Sequence, residues 1–299
     1  MKAFIIEPTY RTEGNKAYVH LYGKLENGES FLTINEFKPY FYIKKSDEKK
    51  AKKTETDIEF ETEETEKKTF NDENLIKIIL DVPMNVNKLR DALEKEEIET
   101  YEANILFAQR FMMDKNLFSC MDIDGDYEKG EHVNRIYNEP ELKHIDTENL
   151  DIKLKTLSFD IETDGKADKL YSIAIFSEDT EKVILVEKEE KIKNTINVKT
   201  EKEALKKFKE IVREIDPDII TGWNIVDFDL AYLNDKFKQH RIKFDIGRGD
   251  KEASIRVESS FFITSKAKIQ GRVVLDGIEL LKVNFFRLVD YRLDTAAEE

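Results

Sequence analysis

Three carboxylates, Asp160, Glu162 and Asp229, have the types and placement that could do chemistry. Asp160 and Glu162 stand two apart in Leu157-Ser158-Phe159-Asp160-Ile161-Glu162-Thr163, which alternates like a half-buried strand. Residues i and i+2 of a strand share a face, so the two acids project together. Carboxylates that close repel each other unless a cation or a proton lies between them. A hard divalent ion with oxygen ligands is the natural partner. Asp229 ends Thr221-Gly222-Trp223-Asn224-Ile225-Val226-Asp227-Phe228-Asp229, which joins a short apolar strand to a helix. There it falls in the first helical turn, facing the strand ends where ligand sites of α/β folds gather. Three acids around one point are the minimum for two-metal phosphodiester hydrolysis.

Spacing alone carries little of this. The chain holds 63 acidic residues, and Asp57-Ile58-Glu59, Asp146-Thr147-Glu148 and Asp250-Lys251-Glu252 repeat the Asp-x-Glu pattern. Asp160 differs because it interrupts an apolar strand. The plainer alternative is a strand end with two solvated acids, with Asn224 and Asp227 as turn and cap residues. Other metal sites fail. Asp122-Ile123-Asp124-Gly125-Asp126 opens like a calcium loop, but Tyr127 stands where that loop needs glycine and Val133 where it needs its last glutamate. His20, His132, His144 and His240 have no ligand spacing, and Cys120 is the only cysteine.

The elements that must position these residues fall into two parts. Residues 1–42 read as β-strands, including Ala17-Tyr18-Val19-His20-Leu21-Tyr22 and the aromatic Phe37-Lys38-Pro39-Tyr40-Phe41-Tyr42. The charged tract 44–68 reads as a solvated surface segment. A strand over Ile76–Leu80 and a helix over Val86–Leu93 follow, then an apolar, aromatic stretch from Tyr101 to Met113. Residues 121–150 are polar and loop-rich and hold the boundary, set at 135/136. Beyond it come strands over 157–161, 170–176 and 183–186, expected to form an antiparallel meander. The helix that follows has a capping-box start, Thr200-Glu201-Lys202-Glu203, an apolar face of Ala204, Leu205, Phe208, Ile211, Val212 and Ile215, and a stop at Asp216-Pro217. Ile219-Ile220-Thr221 is a short strand, and a second helix runs from Phe228 to His240, followed by strands over 255–257 and 272–275. The expected class is α/β, or α+β overall: a mixed β-rich N-terminal domain, 1–135, then a mixed sheet flanked by helices, 136–299.

With 40% hydrophobic residues the 299-residue chain can build two cores. The net charge of −14 argues against nonspecific coating of nucleic acid, while leaving room for a local grip on DNA. Nothing approaches the ~20 apolar residues that span a bilayer, and the N-terminal apolar run is too short for a signal peptide. A cytoplasmic protein without membrane contact is expected.

Phe159-Asp160-Ile161-Glu162-Thr163 resembles the first exonuclease motif of family B DNA polymerases, and Asn224-x-x-x-Phe228-Asp229 resembles the second. Phe37 to Tyr42, Ile105-Leu106-Phe107-Ala108-Gln109-Arg110-Phe111, Asp216 to Ile220 and Tyr291-Arg292-Leu293-Asp294-Thr295-Ala296 are similar to segments of the archaeal members. The resemblance implies an N-terminal domain followed by a ribonuclease-H-like 3′→5′ exonuclease domain, used for proofreading in DNA replication. It implies two Mg²⁺ or Mn²⁺ ions: Asp160 would bridge both, Glu162 would hold the nucleophile-side ion and Asp229 the second. Asn224, Phe228 and Thr163 would contact DNA. It also implies a pocket for template uracil, at Tyr10, Pro39, Tyr40, Pro83, Val86, Ile105, Phe107, Arg110 and Phe111. Implied partners are single-stranded and primer-template DNA and the remaining polymerase domains, or a second polymerase subunit.

The chain departs from the family pattern in two places. It ends at Glu299, before the family's third exonuclease motif with its Tyr and Asp, so weak or absent nuclease activity is expected of it alone. Segment 121–150 has no functional reading. The alternative function is a non-catalytic module of a split polymerase that binds the template strand, senses uracil or docks a partner.

Overall fold

The computed structural model describes residues 1–187, 192–258, 264–286 and 288–298. The chain forms two compact units. One comprises residues 1–26, 30–129 and 135–150, and the other comprises 27–29, 130–134 and 151–299.

The first unit contains β1 (Lys2–Glu13), β2 (Lys16–Leu25), β3 (Ser30–Glu36), β4 (Tyr40–Lys44), α1 (Glu48–Ala51), β5 (Glu61–Lys68), β6 (Asn74–Ile79), α2 (Pro83–Lys95), β7 (Thr100–Tyr101), α3 (Phe107–Asp114), β8 (Cys120–Asp124), β9 (Tyr127–Glu128), β10 (Arg135–Asn138) and β11 (Glu141–His144). They build two sheets, in the orders β11-β8-β1-β2-β3-β10-β9 and β5-β6-β4-β7. α3 buries Phe107, Ala108 and Phe111 against the larger sheet, and α2 buries Leu89 and Leu93 against Phe41, Ile43, Ile76 and Ile78 of the smaller one.

Two expectations change here. The charged tract is not merely surface: Ala51 and Ile58 are buried, and Glu61–Lys68 pairs with β6 as an edge strand. The units also part at 150/151 rather than at 135/136. Arg135–Asn138 adds to β3 in parallel and Glu141–His144 adds to β8, so this polar segment completes the first sheet. Its pairing is carried by backbone hydrogen bonds, which leave no apolar periodicity to read.

The second unit contains β12 (Thr156–Thr163), β13 (Leu170–Ser177), β14 (Thr180–Val186), β15 (Thr195–Val198), α4 (Glu201–Ile215), β16 (Ile219–Gly222), a π-helical turn (Val226–Leu230), α5 (Ala231–Gln239), β17 (Ser254–Arg256), β18 (Lys266–Lys268), β19 (Val273–Asp276), α6 (Gly277–Val283) and α7 (Leu293–Glu298). Its main sheet runs β15-β14-β13-β12-β16-β19. β12, β13 and β14 form the expected antiparallel meander. β15, absent from the sequence reading, lies parallel to β14, while β16 is parallel to both β12 and β19. The class is the mixed sheet with helices that the sequence implies.

α4 forms as its pattern dictates. Its six apolar residues are all buried, and Phe208 meets Phe159 of β12 with ring centroids 5.0 Å apart. Each such burial removes about 1.5–3 kcal/mol of unfavourable hydration, an upper estimate. Thr200 Oγ1 accepts the Glu203 amide at 3.2 Å, while the Glu203 carboxylate reaches one residue past the cap to accept the Lys199 amide at 2.8 Å. The helix ends at Asp216, whose φ of 48° is left-handed. Among the described residues, no helix is long and apolar enough to cross a membrane.

Candidate functional site

β12 supplies the first two carboxylates. Leu157, Phe159 and Ile161 turn into the core, so Asp160 and Glu162 turn together to the open face. β16 reaches β12 only at Thr156, Leu157 and Ser158. Farther along, the edge of β12 carries no strand on that side, and the Ile161 amide needs another acceptor.

Asp229 is that acceptor. Its Oδ1 takes the Ile161 N–H at 3.0 Å. The residue is 2% exposed and sits inside the π turn, where the Leu230 amide reaches back five residues to the Ile225 carbonyl at 2.8 Å. That extra residue re-aims the side chain relative to an α-helical register. The sequence placed Asp229 in an ordinary first helical turn; the structure shows a π turn ahead of α5. Gly222 permits the close approach of β16 to β12, because a Cβ there would come within 2.9 Å of the Phe159 carbonyl oxygen. Asn224, next but one, adopts a left-handed φ of 58°, which its short polar side chain tolerates.

The electrostatics join the three acids. Burial raises the Asp160 carboxyl above its usual range, and the Glu162 charge adds to this. Asp229 is pushed up to about 7, by burial first and then by the Asp160 charge, with the Ile161 N–H partly offsetting both. Asp276 also raises Asp229, and the sequence analysis missed it. It ends β19 beside Gly222; one oxygen caps α6 through the Ile278 amide at 2.9 Å, and the other accepts the Val226 amide at 3.1 Å. The signal was an acid that follows an apolar strand and stands just before Gly277.

The donor chemistry suits a hard divalent cation: every candidate ligand is a carboxylate oxygen, and like charges are crowded around Asp160. Among the described residues, however, no three His, Cys, Asp or Glu side chains are gathered tightly enough to hold an ion. Asp229 is turned onto the Ile161 amide, with Asp160 and Glu162 on the adjacent strand face. Thr163 ends β12. Phe228 is 41% exposed and stacks on Tyr232 with ring centroids 6.4 Å apart.

In the first unit, Tyr10, Pro39, Tyr40, Pro83, Val86, Ile105, Phe107 and Arg110 line one cleft of about 270 Å³. The ninth expected residue, Phe111, does not line it; it is buried behind against Phe37, ring centroids 5.4 Å apart. Tyr10 meets the Phe107 ring edge-on at 5.4 Å. The Arg110 guanidinium lies 4.8 Å from the Tyr40 ring centroid and donates to Glu102 at 2.6 Å, while its Nε is buried without a partner. The Tyr40 hydroxyl donates to Asp114 at 2.7 Å. Glu102, Asn87, Arg90 and Asn104 also line the cleft and were not anticipated.

Comparison with known proteins follows the same lines. Residues 98–296 match the family model for the DNA polymerase family B exonuclease domain. A DNA polymerase of Archaeoglobus fulgidus is 30% identical over 293 residues, covering 92% of this chain and 34% of the relative. Escherichia coli DNA polymerase II is 29% identical over 213 residues, covering 69% of this chain and 26% of the relative. The chain thus spans 16% to 36% of the length of curated relatives it matches. The structure of the family B DNA polymerase from the archaeon Pyrobaculum calidifontis superposes with a TM-score of 0.74 at 22% identity, over 100% of this chain and 39% of that one. The chain belongs to DNA polymerase family B, and it carries that family's exonuclease domain.

Proposed function

We propose that this chain is the N-terminal and proofreading portion of a DNA polymerase, and that its second unit removes nucleotides from a 3′ end. The observation that carries this reading is the buried Asp229 carboxylate, drawn onto the free edge of β12 beside Asp160 and Glu162 and pushed up to about 7. Burial of a carboxylate among like charges is costly unless a cation offsets it. Asp160, Glu162 and Asp229 would hold Mg²⁺ or Mn²⁺. The ions, when bound, supply Lewis acidity toward water and toward the leaving 3′ oxygen. The chain's own residues bind and orient the strand. The exposed Phe228 ring, backed by Tyr232, offers a stacking face to a terminal base. Asn224 and Thr163 flank the carboxylates and place the sugar and phosphate.

Turnover by this chain alone is expected to be slow, since the three carboxylates do not by themselves close around an ion. The test is Mn²⁺ binding together with 3′→5′ shortening of a 5′-labelled single strand. Both should be lost in Asp160→Ala with the melting temperature retained. Equal Mn²⁺ affinity in Asp160→Ala would overturn the assignment.

A second reading rests on the cleft of the first unit, where eight residues expected to recognise uracil converge. Its flat aromatic walls suit a base turned out of a strand. Single strands with and without uracil should bind differently, and Phe107→Ala should remove the difference. Equal binding of both strands to the unaltered chain would sink it.

A further inference from the structure

We propose that Lys236 is a positioning residue for the carboxylate site: it pins α5 to the β12–β13 turn and so fixes where Asp229 meets β12. The proposal rests on reading Asp160, Glu162 and Asp229 as a metal site.

The π turn and α5 that follows it touch the β12–β13 hairpin through polar contacts at two points. At one, Asp229 accepts the Ile161 amide. At the other, about two helical turns on, Lys236 donates to the Asp168 carbonyl in the turn that follows β12. Lys236 is 6% exposed, yet it is fully engaged: its ammonium also meets Glu201 Oε1 at 3.1 Å and Oε2 at 3.2 Å. Glu201, at the start of α4, in turn accepts the Leu170 amide at 2.7 Å, and its other oxygen lies 3.0 Å from His240 Nε2. One buried cluster therefore ties together the end of the β12–β13 turn, the start of α4 and α5. The turn is itself stiffened by Asp164, whose Oδ1 accepts the amides of Asp168 and Lys169 at 2.6 and 3.0 Å.

The geometry makes the two contacts interdependent. Glu162 and Thr163 lead directly into the turn that Lys236 grips, and Asp229 leads into the helix that carries Lys236. Register shifts between Glu162 and Thr163, so β13 does not rigidly dictate the path of the strand there. With the Lys236 contact in place, sliding of α5 along the hairpin would break a buried ion pair, at a cost that hydrophobic packing alone would not impose. Without it, the Asp229–Ile161 hydrogen bond is left to set the helix against β12. Outer-shell partners of metal ligands change metal affinity by about 10–100-fold when removed.

The test removes both charges together with Lys236→Met plus Glu201→Gln, so that no ion is left unpaired in the interior. Two readouts are taken on folded protein, verified by circular dichroism: hydrogen exchange of the Ile161 amide without metal, and Mn²⁺ affinity by electron paramagnetic resonance. The expected results are faster Ile161 exchange, by about tenfold or more, and Mn²⁺ affinity weakened by about tenfold. Lys236→Arg, which keeps a donor to the Asp168 carbonyl, should restore most of both. If that double variant does not fold, Lys236→Gln with Glu201→Gln, which also removes both charges together, carries the same comparison. In an Asp229→Asn background, loss of the clamp should weaken Mn²⁺ binding no further, because positioning acts through Asp229. A merely stabilising ion pair would give an additive loss instead and overturn the proposal. Unchanged Ile161 exchange would overturn it too. If the unaltered chain bound no Mn²⁺, the metal reading would fall, while Ile161 exchange would still decide the clamp.

Discussion

Asp229 holds its charge against its surroundings. Its carboxyl ordinarily ionises at 3.8 and is pushed up to about 7 in the fold. At pH 3 both folded and unfolded chains carry it protonated, and it contributes no pH dependence. Between 3.8 and about 7 the unfolded chain ionises first, so stability falls as pH rises across that window and then levels. Asp229→Asn removes the titration and keeps an oxygen to accept the Ile161 amide. Metal-free protein carrying this change should melt at a higher temperature at pH 8, by an amount equivalent to at most about 4 kcal/mol, and at an unchanged temperature at pH 3. Differential scanning calorimetry at the two pH values decides it, and a lower melting temperature at pH 8 would contradict it. The same substitution should reduce stabilisation by Mn²⁺ without abolishing it, because Asp160 and Glu162 remain. At this scale the sequence was informative about facing: alternation in Phe159-Asp160-Ile161-Glu162 shows which face each residue takes. It did not show Asp276, because a strand-end acid in a chain with 63 acidic residues gains meaning only from its neighbours in space.

Elements are set against one another by buried charge as much as by apolar packing. Arg248 is fully buried and donates to Asp216 at the end of α4 at 2.8 Å and to Asp218 at 2.7 Å. Asp218 also accepts the Lys155 amide at 2.8 Å, just before β12, and Arg272 reaches the same Asp216 from the start of β19. Burial and the Arg248 charge lower the Arg272 guanidinium to about 10. The network aligns the starts of β12, β16 and β19, at whose far ends the carboxylates stand. Arg248→Met removes one of the two buried guanidinium charges that offset Asp216 and Asp218 and should cost about 3–5 kcal/mol in urea unfolding. A loss below 1 kcal/mol would show that the network is not what holds these strands. The sequence could not show it, since each arginine lies 30 or more residues from the carboxylate it meets. The π turn was hidden for a related reason. An inserted residue leaves composition and apolar spacing nearly unchanged, and the contacts that accompany it, Asp229 with β12 and the Val226 amide with Asp276, join residues far apart in the chain.

Across the whole molecule, a net charge of −14 repels a phosphate backbone, so affinity for DNA must come from a local source. Divalent ions at the carboxylates would be that source, turning an acidic cluster of the second unit into its point of attachment. Single-stranded DNA should therefore bind at least about tenfold more weakly after chelation of divalent ions at constant ionic strength. Asp160→Ala with Glu162→Ala should make binding insensitive to chelation. Chelation without effect on the unaltered chain would place the attachment elsewhere, with the aromatic cleft of the first unit as the next site to examine. That cleft was foreseen through family resemblance, since its residues come from β1, the approach to β4, α2 and α3 and share no spacing.

By itself the sequence determined the class of fold, the antiparallel meander, the faces of β12 and α4 and the three acids worth examining. Each follows from a local period, of two in strands or 3.6 in helices, which burial imposes on neighbours in the chain. Only the tertiary structure decided that residues 135–144 complete the first unit's sheet, that Asp229 lies in a π turn on the free edge of β12, and that Asp276 and Lys236 bracket it. Those outcomes depend on backbone pairing and charge contacts between distant residues, which leave no periodic trace in the sequence.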